Sequence, residues 1–177
     1  LKRDSALIVE GKLKAIGEEA RKLNKDLGIA PLSIPSQLLA PCLVDPHSVL
    51  QEPLNGRSET LVSLRKKAAN AGYGQIALLP RGSSWRDRPE HLQGFSNPNN
   101  NVLIHLWGSF SKGGHGLDLS PHADLLQNGA IGLADDDSII PISLLKKGLV
   151  LKEINKCPLL LAPRDATIQG DGFVREG

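Results

Sequence analysis

The sequence lacks several features that mark whole classes of protein. Its 177 residues contain no methionine, two cysteines and few aromatic residues. The two cysteines, Cys42 and Cys157, cannot build a disulfide framework, and they lack the paired spacing of a structural zinc site. We therefore expect a protein of a reducing compartment, with a cytoplasmic location.

Long apolar runs and an excess of charge are also missing. No stretch approaches the ~20 apolar residues of a transmembrane helix, and no n-region and h-region pair resembles a signal peptide. Lys and Arg number 21 against 19 Asp and Glu, which is too balanced for a nucleic-acid-binding surface. We expect neither a membrane nor a nucleic acid as partner. Because the chain starts at Leu1 and its last residues close no element, we expect a piece of a longer protein.

The first forty residues differ in pattern from the rest. Two short apolar runs in residues 6–16 flank Glu10-Gly11, which predicts a β-hairpin because glycine allows a tight turn. The charged residues 18–28 are compatible with a short helix. Three prolines in residues 29–41 predict an extended connector. We expect a first region over 1–40 and a second over 41–177.

Five short apolar runs follow at the spacing of strand–helix units. They are separated by 27 to 32 residues and are centred on Val44, Ile76, Leu103, Ile131 and Leu159. Helical patterns lie between several of them, in residues 58–71, 120–128 and 142–156. This alternation predicts an α/β fold with a parallel sheet. An open doubly wound sheet and part of a (β/α)8 barrel are both compatible, since a complete barrel needs ~250 residues.

Candidate functional residues follow these runs, where α/β proteins place their sites. Asp45 and His47 follow the start of the first run, and Asp135-Asp136-Asp137 follow the fourth. The aspartates are compatible with a cation site or with a solvated loop that caps the next helix.

Three segments resemble dihydroorotases and related cyclic amidohydrolases. Residues 39–53 are similar to the pattern P-G-x-x-D-x-H-x-H-x-R-E-P of the first barrel strand in that family. Residues 59–80 resemble K-E-T…A-A-x-A-G-G-x-T…M-P-N, and residues 128–136 resemble G-A-x-x-x-x-D-D-G. The resemblance covers most of the chain. It implies the first half of a (β/α)8 TIM barrel of the metal-dependent hydrolase type over 41–177, preceded by a hairpin from a small β-domain.

The resemblance also implies a chemistry. The family consists of zinc hydrolases that open or close a cyclic amide, as in pyrimidine biosynthesis. Zinc lowers the pKa of its bound water toward ~7 and polarises the carbonyl group. By resemblance, the metal ligands in this chain would be His47 and one of Asp135 and Asp136.

The chain departs from the family pattern at several site positions. Val49 stands where the second metal histidine is expected, and Gln51 stands at the position of the substrate-binding arginine. Arg81 replaces the substrate-binding asparagine, and Ala162 replaces the histidine of an H-x-x-D segment that keeps Asp165. By resemblance, the later metal histidine and the catalytic aspartate of the family would lie beyond Gly177. The two ligands that remain within this chain cannot by themselves complete a three- or four-coordinate zinc site. We therefore expect a degenerate metal site from which zinc has been lost.

Three hypotheses follow. The favoured one is a dihydroorotase-like pseudoenzyme, whose partner, by resemblance, is aspartate transcarbamoylase or a second copy of the chain. The second is an active zinc-dependent cyclic amidohydrolase that uses substitute ligands, such as His105 or His122, and a missing C-terminal half. The third is an unrelated open α/β binding domain.

Overall fold

The computed structural model describes most of the chain in two compact units. The described residues are 4–35, 38–50, 60–82, 84–95, 101–136 and 138–162. The units are Leu1–Ala40 and Pro41–Gly177. Several residues discussed above lie outside the described residues, namely Gln51, Glu52, Pro53, Asp137 and Asp165. No helix in the described part of the chain combines the length and apolar character that crossing a bilayer requires.

The first unit contains an antiparallel strand pair and a helix. Strands β1 and β2 and helix α1 comprise Ala6–Val9, Lys12–Ile16 and Glu18–Leu27. The turn between the strands places Glu10 and Gly11 at positive φ, a conformation that glycine adopts without steric cost. Leu7, Ala15 and Ala20 form a small buried cluster. Helix α1 thus packs against one face of the pair.

The second unit is built on five parallel strands. Their bounds are Leu43–Ser48 (β3), Tyr73–Leu78 (β4), Leu103–Ser109 (β5), Ala130–Asp135 (β6) and Leu159–Leu161 (β7). Each strand pairs with the next in chain order. This order has no reversal point of the kind that defines a doubly wound sheet. The sheet curls as a half barrel, which confirms the predicted α/β class and is consistent with part of a TIM barrel.

Three helices connect these strands, close to the predicted positions. They are Leu61–Asn70 (α2), His122–Gln127 (α3) and Ile142–Val150 (α4). Thr60 caps α2 in a reciprocal pair with Ser63, with N···Oγ distances of 2.9 and 3.1 Å. Helix α4 ends well before the predicted residue 156. Lys152 has a φ of 62°, a left-handed backbone conformation that ends a right-handed α-helix.

The central strands of the sheet carry buried side chains on both faces. Successive residues of a strand point to opposite faces, so Ile76 and Leu78 contact the helix layer while Ala77 and Leu79 point away from it. On that opposite, inner face lies an apolar group that we call the inner cluster. Its members are Ala77, Leu79, Trp107 and Ala134, with Val49, Ile131 and Leu160 packed against them.

Trp107 is the largest side chain of the inner cluster. Its indole Nε1 donates a hydrogen bond of 2.8 Å to the carbonyl oxygen of Pro46, which links β5 to β3 across the intervening strand. Gly132 leaves room for the ring, because a Cβ there would lie 2.7 Å from Trp107 Cζ3 and would overlap the carbonyl oxygen of Pro158. A glycine is required here by space rather than by backbone conformation.

We predict that Gly132→Ala lowers the free energy of unfolding by about 1–3 kcal/mol, because the added methyl group overpacks the inner cluster. Denaturant unfolding followed by tryptophan fluorescence measures the change. Gly82→Ala is the matched control, since the nearest atom to its Cβ position is 3.8 Å away. Equal stability of the two variants would contradict the proposed packing.

Candidate functional site

The candidate site lies at the edge of the half barrel where the five parallel strands end. His47 lies near the end of β3, Arg81 follows β4, Asp135 ends β6 and Asp136 comes next. Of the predicted site residues that the structure describes, all four therefore lie along this edge. Their surroundings decide what chemistry the edge supports.

Asp135 is completely buried and accepts hydrogen bonds from the last residue of β5 and from the connection that follows it. Its Oδ1 accepts from Ser109 Oγ at 2.9 Å and from the Phe110 N–H at 3.2 Å. Its Oδ2 accepts from the Ser111 N–H at 2.9 Å and from the Ser111 hydroxyl. A carboxylate offers about four lone-pair sites, and both oxygens of Asp135 have protein donors. The single proton of the Ser109 hydroxyl is shared with the Ser111 carbonyl oxygen, which lies 2.5 Å from Ser109 Oγ.

The pKa of Asp135 reflects two opposing effects. Burial raises the pKa above its ordinary value, because the charged form is removed from water, and the hydrogen bonds from Ser111, Ser109 and Phe110 partly offset that rise. The net direction is upward. Asp135 is therefore a carboxylate held by internal donors, in surroundings that disfavour its charge.

Asp136 forms an ion pair with Arg81. The Arg81 Nη2 to Asp136 Oδ2 distance is 2.5 Å, and the two side chains are 30 % and 16 % exposed. The other carboxylate oxygen of Asp136, Oδ1, is buried and has no hydrogen-bond partner within the described residues. The arginine at the family's asparagine position thus contacts a carboxylate of this same chain.

The His47 side chain is exposed to solvent and lies beside Asp45 of the same strand. The histidine side chain is 65 % exposed, and Nδ1 lies 3.5 Å from Asp45 Oδ1. Burial alone would raise the pKa of Asp45, but hydrogen bonds from the Ser48 hydroxyl and the His47 N–H lower it overall. The aspartate and histidine of the D-x-H segment therefore contact each other locally.

Val49 packs against the inner cluster. It occupies the position at which the family pattern has its second metal histidine. Val49 is partly buried, and the cluster against which it packs consists of apolar side chains. An apolar side chain that contributes to packing therefore stands at this position.

The two histidines suggested as substitute ligands have other partners. His105 Nε2 lies 2.9 Å from the side-chain oxygen of Gln75 on the neighbouring strand. His122 is buried in the helix layer, where its Nε2 lies 2.7 Å from the Phe110 carbonyl oxygen and its ring packs on the Phe110 ring. The Nε2 of each histidine therefore already has a partner among the described residues.

Ser109 and Ser111 are functional neighbours that the sequence reasoning missed. Both donate to Asp135, although they precede it by 26 and 24 residues. The only sequence signal was a pair of hydroxyl residues flanking Phe110 at the end of an apolar run. Nothing in the pattern joined them to a particular carboxylate.

These residues do not fit a zinc ion as they stand. Zinc takes three or four nitrogen, sulfur or oxygen ligands with open lone pairs. Both oxygens of Asp135 have protein donors, one oxygen of Asp136 is paired with a cation, and Val49 offers no ligand atom. Within the described ranges, no three His, Cys, Asp or Glu side chains are grouped closely enough to hold a metal.

Comparison with known proteins identifies the family. A probable dihydroorotase-like protein from Synechocystis sp. is 30 % identical over 97 % of this chain and 44 % of its own length. Dihydroorotases from Elusimicrobium minutum and Syntrophus aciditrophicus are 27 % and 26 % identical over 97 % of the chain. The chain belongs to the dihydroorotase-like family of amidohydrolases. No protein-family model matches it.

The dihydroorotase-like chain covers only part of these relatives. It spans 44 %, 40 % and 41 % of the lengths of the three proteins. The half-barrel sheet agrees with this partial coverage, because five parallel strands are fewer than the eight of a closed TIM barrel. The resemblance found in the sequence is thereby confirmed at the level of the family.

We predict that Asp135→Asn lowers the free energy of unfolding by about 2–3 kcal/mol at neutral pH. The side-chain nitrogen of the new asparagine donates hydrogen bonds and cannot accept them. The buried donors that now contact one carboxylate oxygen of Asp135 therefore lose their partner. Chemical denaturation measures the loss. The control is Asp124→Asn, which alters an exposed carboxyl group on α3; an equal loss there would contradict the role given to Asp135.

The comparison of the wild type with Asp135→Asn also tests the raised pKa of Asp135. A carboxyl group with a raised folded-state pKa binds its proton more tightly in the folded than in the unfolded state. The wild type should therefore gain stability relative to Asp135→Asn as the pH falls through the raised pKa toward the ordinary value of 3.8. A difference in unfolding free energy that does not vary over this window would contradict the raised pKa.

Proposed function

We propose that this chain is part of a dihydroorotase-like protein that has kept the barrel framework and lost metal-dependent hydrolysis. The observation that carries the proposal is the packing of Val49 against the inner cluster. A metal histidine at this position would place a polar ring against this apolar cluster. The chain instead uses the position to bury apolar surface, which stabilises the fold without an ion.

The remaining polar groups support this proposal. Bound zinc would supply a water of lowered pKa and a polarised carbonyl group. The residues that would hold it here are His47, Asp135 and Asp136. His47 is largely exposed, Asp135 accepts from serine and backbone donors, and Asp136 is paired with Arg81. We infer that the carbonyl of a cyclic amide would meet no activated water at this edge.

The substrate-binding positions support the same conclusion. Arg81 replaces an asparagine of the family pattern, and its guanidinium contacts Asp136 rather than facing an open pocket. The asparagine side chain is a neutral amide that donates and accepts hydrogen bonds, whereas the arginine side chain is a permanent cation that only donates them. We infer that dihydroorotate is not the ligand of this site, even when a metal is supplied.

A partner is proposed from the family resemblance. Dihydroorotase-like chains without activity accompany aspartate transcarbamoylase in this family, and we propose that enzyme as the partner here. The test is co-expression of the full-length protein with the aspartate transcarbamoylase of the same organism, followed by size-exclusion chromatography. A common peak supports the proposal, and separate elution at micromolar concentration contradicts it.

We predict that the purified full-length protein, dialysed against zinc and then against metal-free buffer, keeps less than about a tenth of an equivalent of zinc, because too few open ligands remain. Elemental analysis measures the metal. The dihydroorotase of Elusimicrobium minutum, treated identically, is the control.

The same two protein preparations are then assayed for hydrolysis of dihydroorotate. Hydrolysis of dihydroorotate by this protein should not exceed the rate of the buffer blank, whereas the control enzyme should turn over. One or two equivalents of retained zinc together with turnover would establish the opposite hypothesis, an active amidohydrolase with substitute ligands.

A further inference from the structure

We propose that the guanidinium of Arg81 acts as a built-in cation for Asp136, and that this ion pair helps to keep divalent metal ions out of the candidate site. The proposal rests on the proposed function and deepens it. Loss of the histidine at position 49 explains why a ligand is missing. The ion pair explains why the surviving carboxylate does not attract a metal either.

The geometry of the pair supports this role. Arg81 follows β4 and Asp136 follows β6, two strands that β5 separates in the sheet. The two residues are 55 positions apart in the sequence. Their closest nitrogen and oxygen atoms are 2.5 Å apart, and both side chains are largely buried. Charge-assisted contacts at this distance are among the stronger polar interactions in proteins. A second cation approaching Asp136 would meet both a reduced negative charge and direct repulsion from Arg81.

Asp135 cannot take over as the metal-binding carboxylate. Both of its oxygens already accept two hydrogen bonds each from Ser109, Phe110 and Ser111. Asp136 differs, because its Oδ1 is buried without a hydrogen-bond partner within the described residues. Of the two adjacent aspartates, Asp136 is therefore the one with an oxygen that has no hydrogen-bond partner among the described residues, and it is the one that Arg81 contacts.

Arginine is well suited to this role. Its guanidinium stays charged at every physiological pH and presents a planar set of donors that matches a carboxylate. The asparagine of the family pattern would leave Asp136 with its full negative charge. The exchange at position 81 therefore changes the electrostatics of the metal position as well as the contact to a substrate.

The test restores the missing histidine with and without the ion pair. Three variants of the full-length protein are compared by zinc titration calorimetry: Val49→His, Val49→His with Arg81→Asn, and Val49→His with Arg88→Asn. Arg88 is the matched control because it lies on the same connection and is exposed. We expect the variant that lacks Arg81 to bind zinc at least roughly tenfold more tightly than the other two, the scale of effect seen for groups that surround metal ligands.

Each result decides a specific point. Equal zinc affinity of the three variants, or no zinc binding by the variant that lacks Arg81, overturns the role of Arg81. Tight zinc binding by the unmodified protein overturns the proposed function together with the role of Arg81, whereas the first two results overturn the role of Arg81 alone, so the two failures are distinguishable.

A second comparison covers the case in which Val49→His does not fold. Arg81→Asn and Arg88→Asn are then made singly, and the change in Tm on adding zinc is measured for both. A zinc-dependent rise confined to Arg81→Asn supports the proposal. The same response in both variants contradicts it.

Discussion

A carboxylate that is removed from water needs hydrogen-bond donors, and this requirement organises the functional edge of the sheet. Asp135 receives its donors from three consecutive residues at the end of β5, Ser109, Phe110 and Ser111. The network continues outward, because Trp85 Nε1 donates to Ser109 Oγ at 2.8 Å. The end of β6 is thereby fastened to the connection after β5 by internal hydrogen bonds. In a metal-dependent amidohydrolase, an ion would organise carboxylates at this position.

The same principle accounts for the rest of the candidate site. Each group that suits metal chemistry by residue type has an internal partner: Asp136 contacts Arg81, and His47 faces Asp45. Val49 adds apolar packing where a ligand is expected in the family. Such a site does not depend on an ion for its geometry. The half-barrel framework at this edge can therefore be held together without a bound ion.

The sequence predicted the framework better than the site. The five strands could be located because short apolar runs recur at a regular spacing, and His47 and Asp135 could be placed because they follow such runs. The partnership of Ser109 with Asp135 and that of Arg81 with Asp136 could not be predicted. These contacts join residues 26 and 55 positions apart, and they depend on strand register and on side-chain direction, which periodicity does not specify. The early end of α4 depends on one positive φ at Lys152.

The central claim is that internal partners, and not a metal ion, organise this edge of the sheet. Diffraction from crystals of the full-length protein grown with excess zinc, recorded on both sides of the zinc absorption edge, tests it most directly. The account predicts no anomalous peak within about 2.0–2.3 Å of His47, Asp135 or Asp136, the range of zinc–ligand bonds. A strong peak bonded to His47 and to either aspartate, with Arg81 displaced from Asp136, would contradict the account.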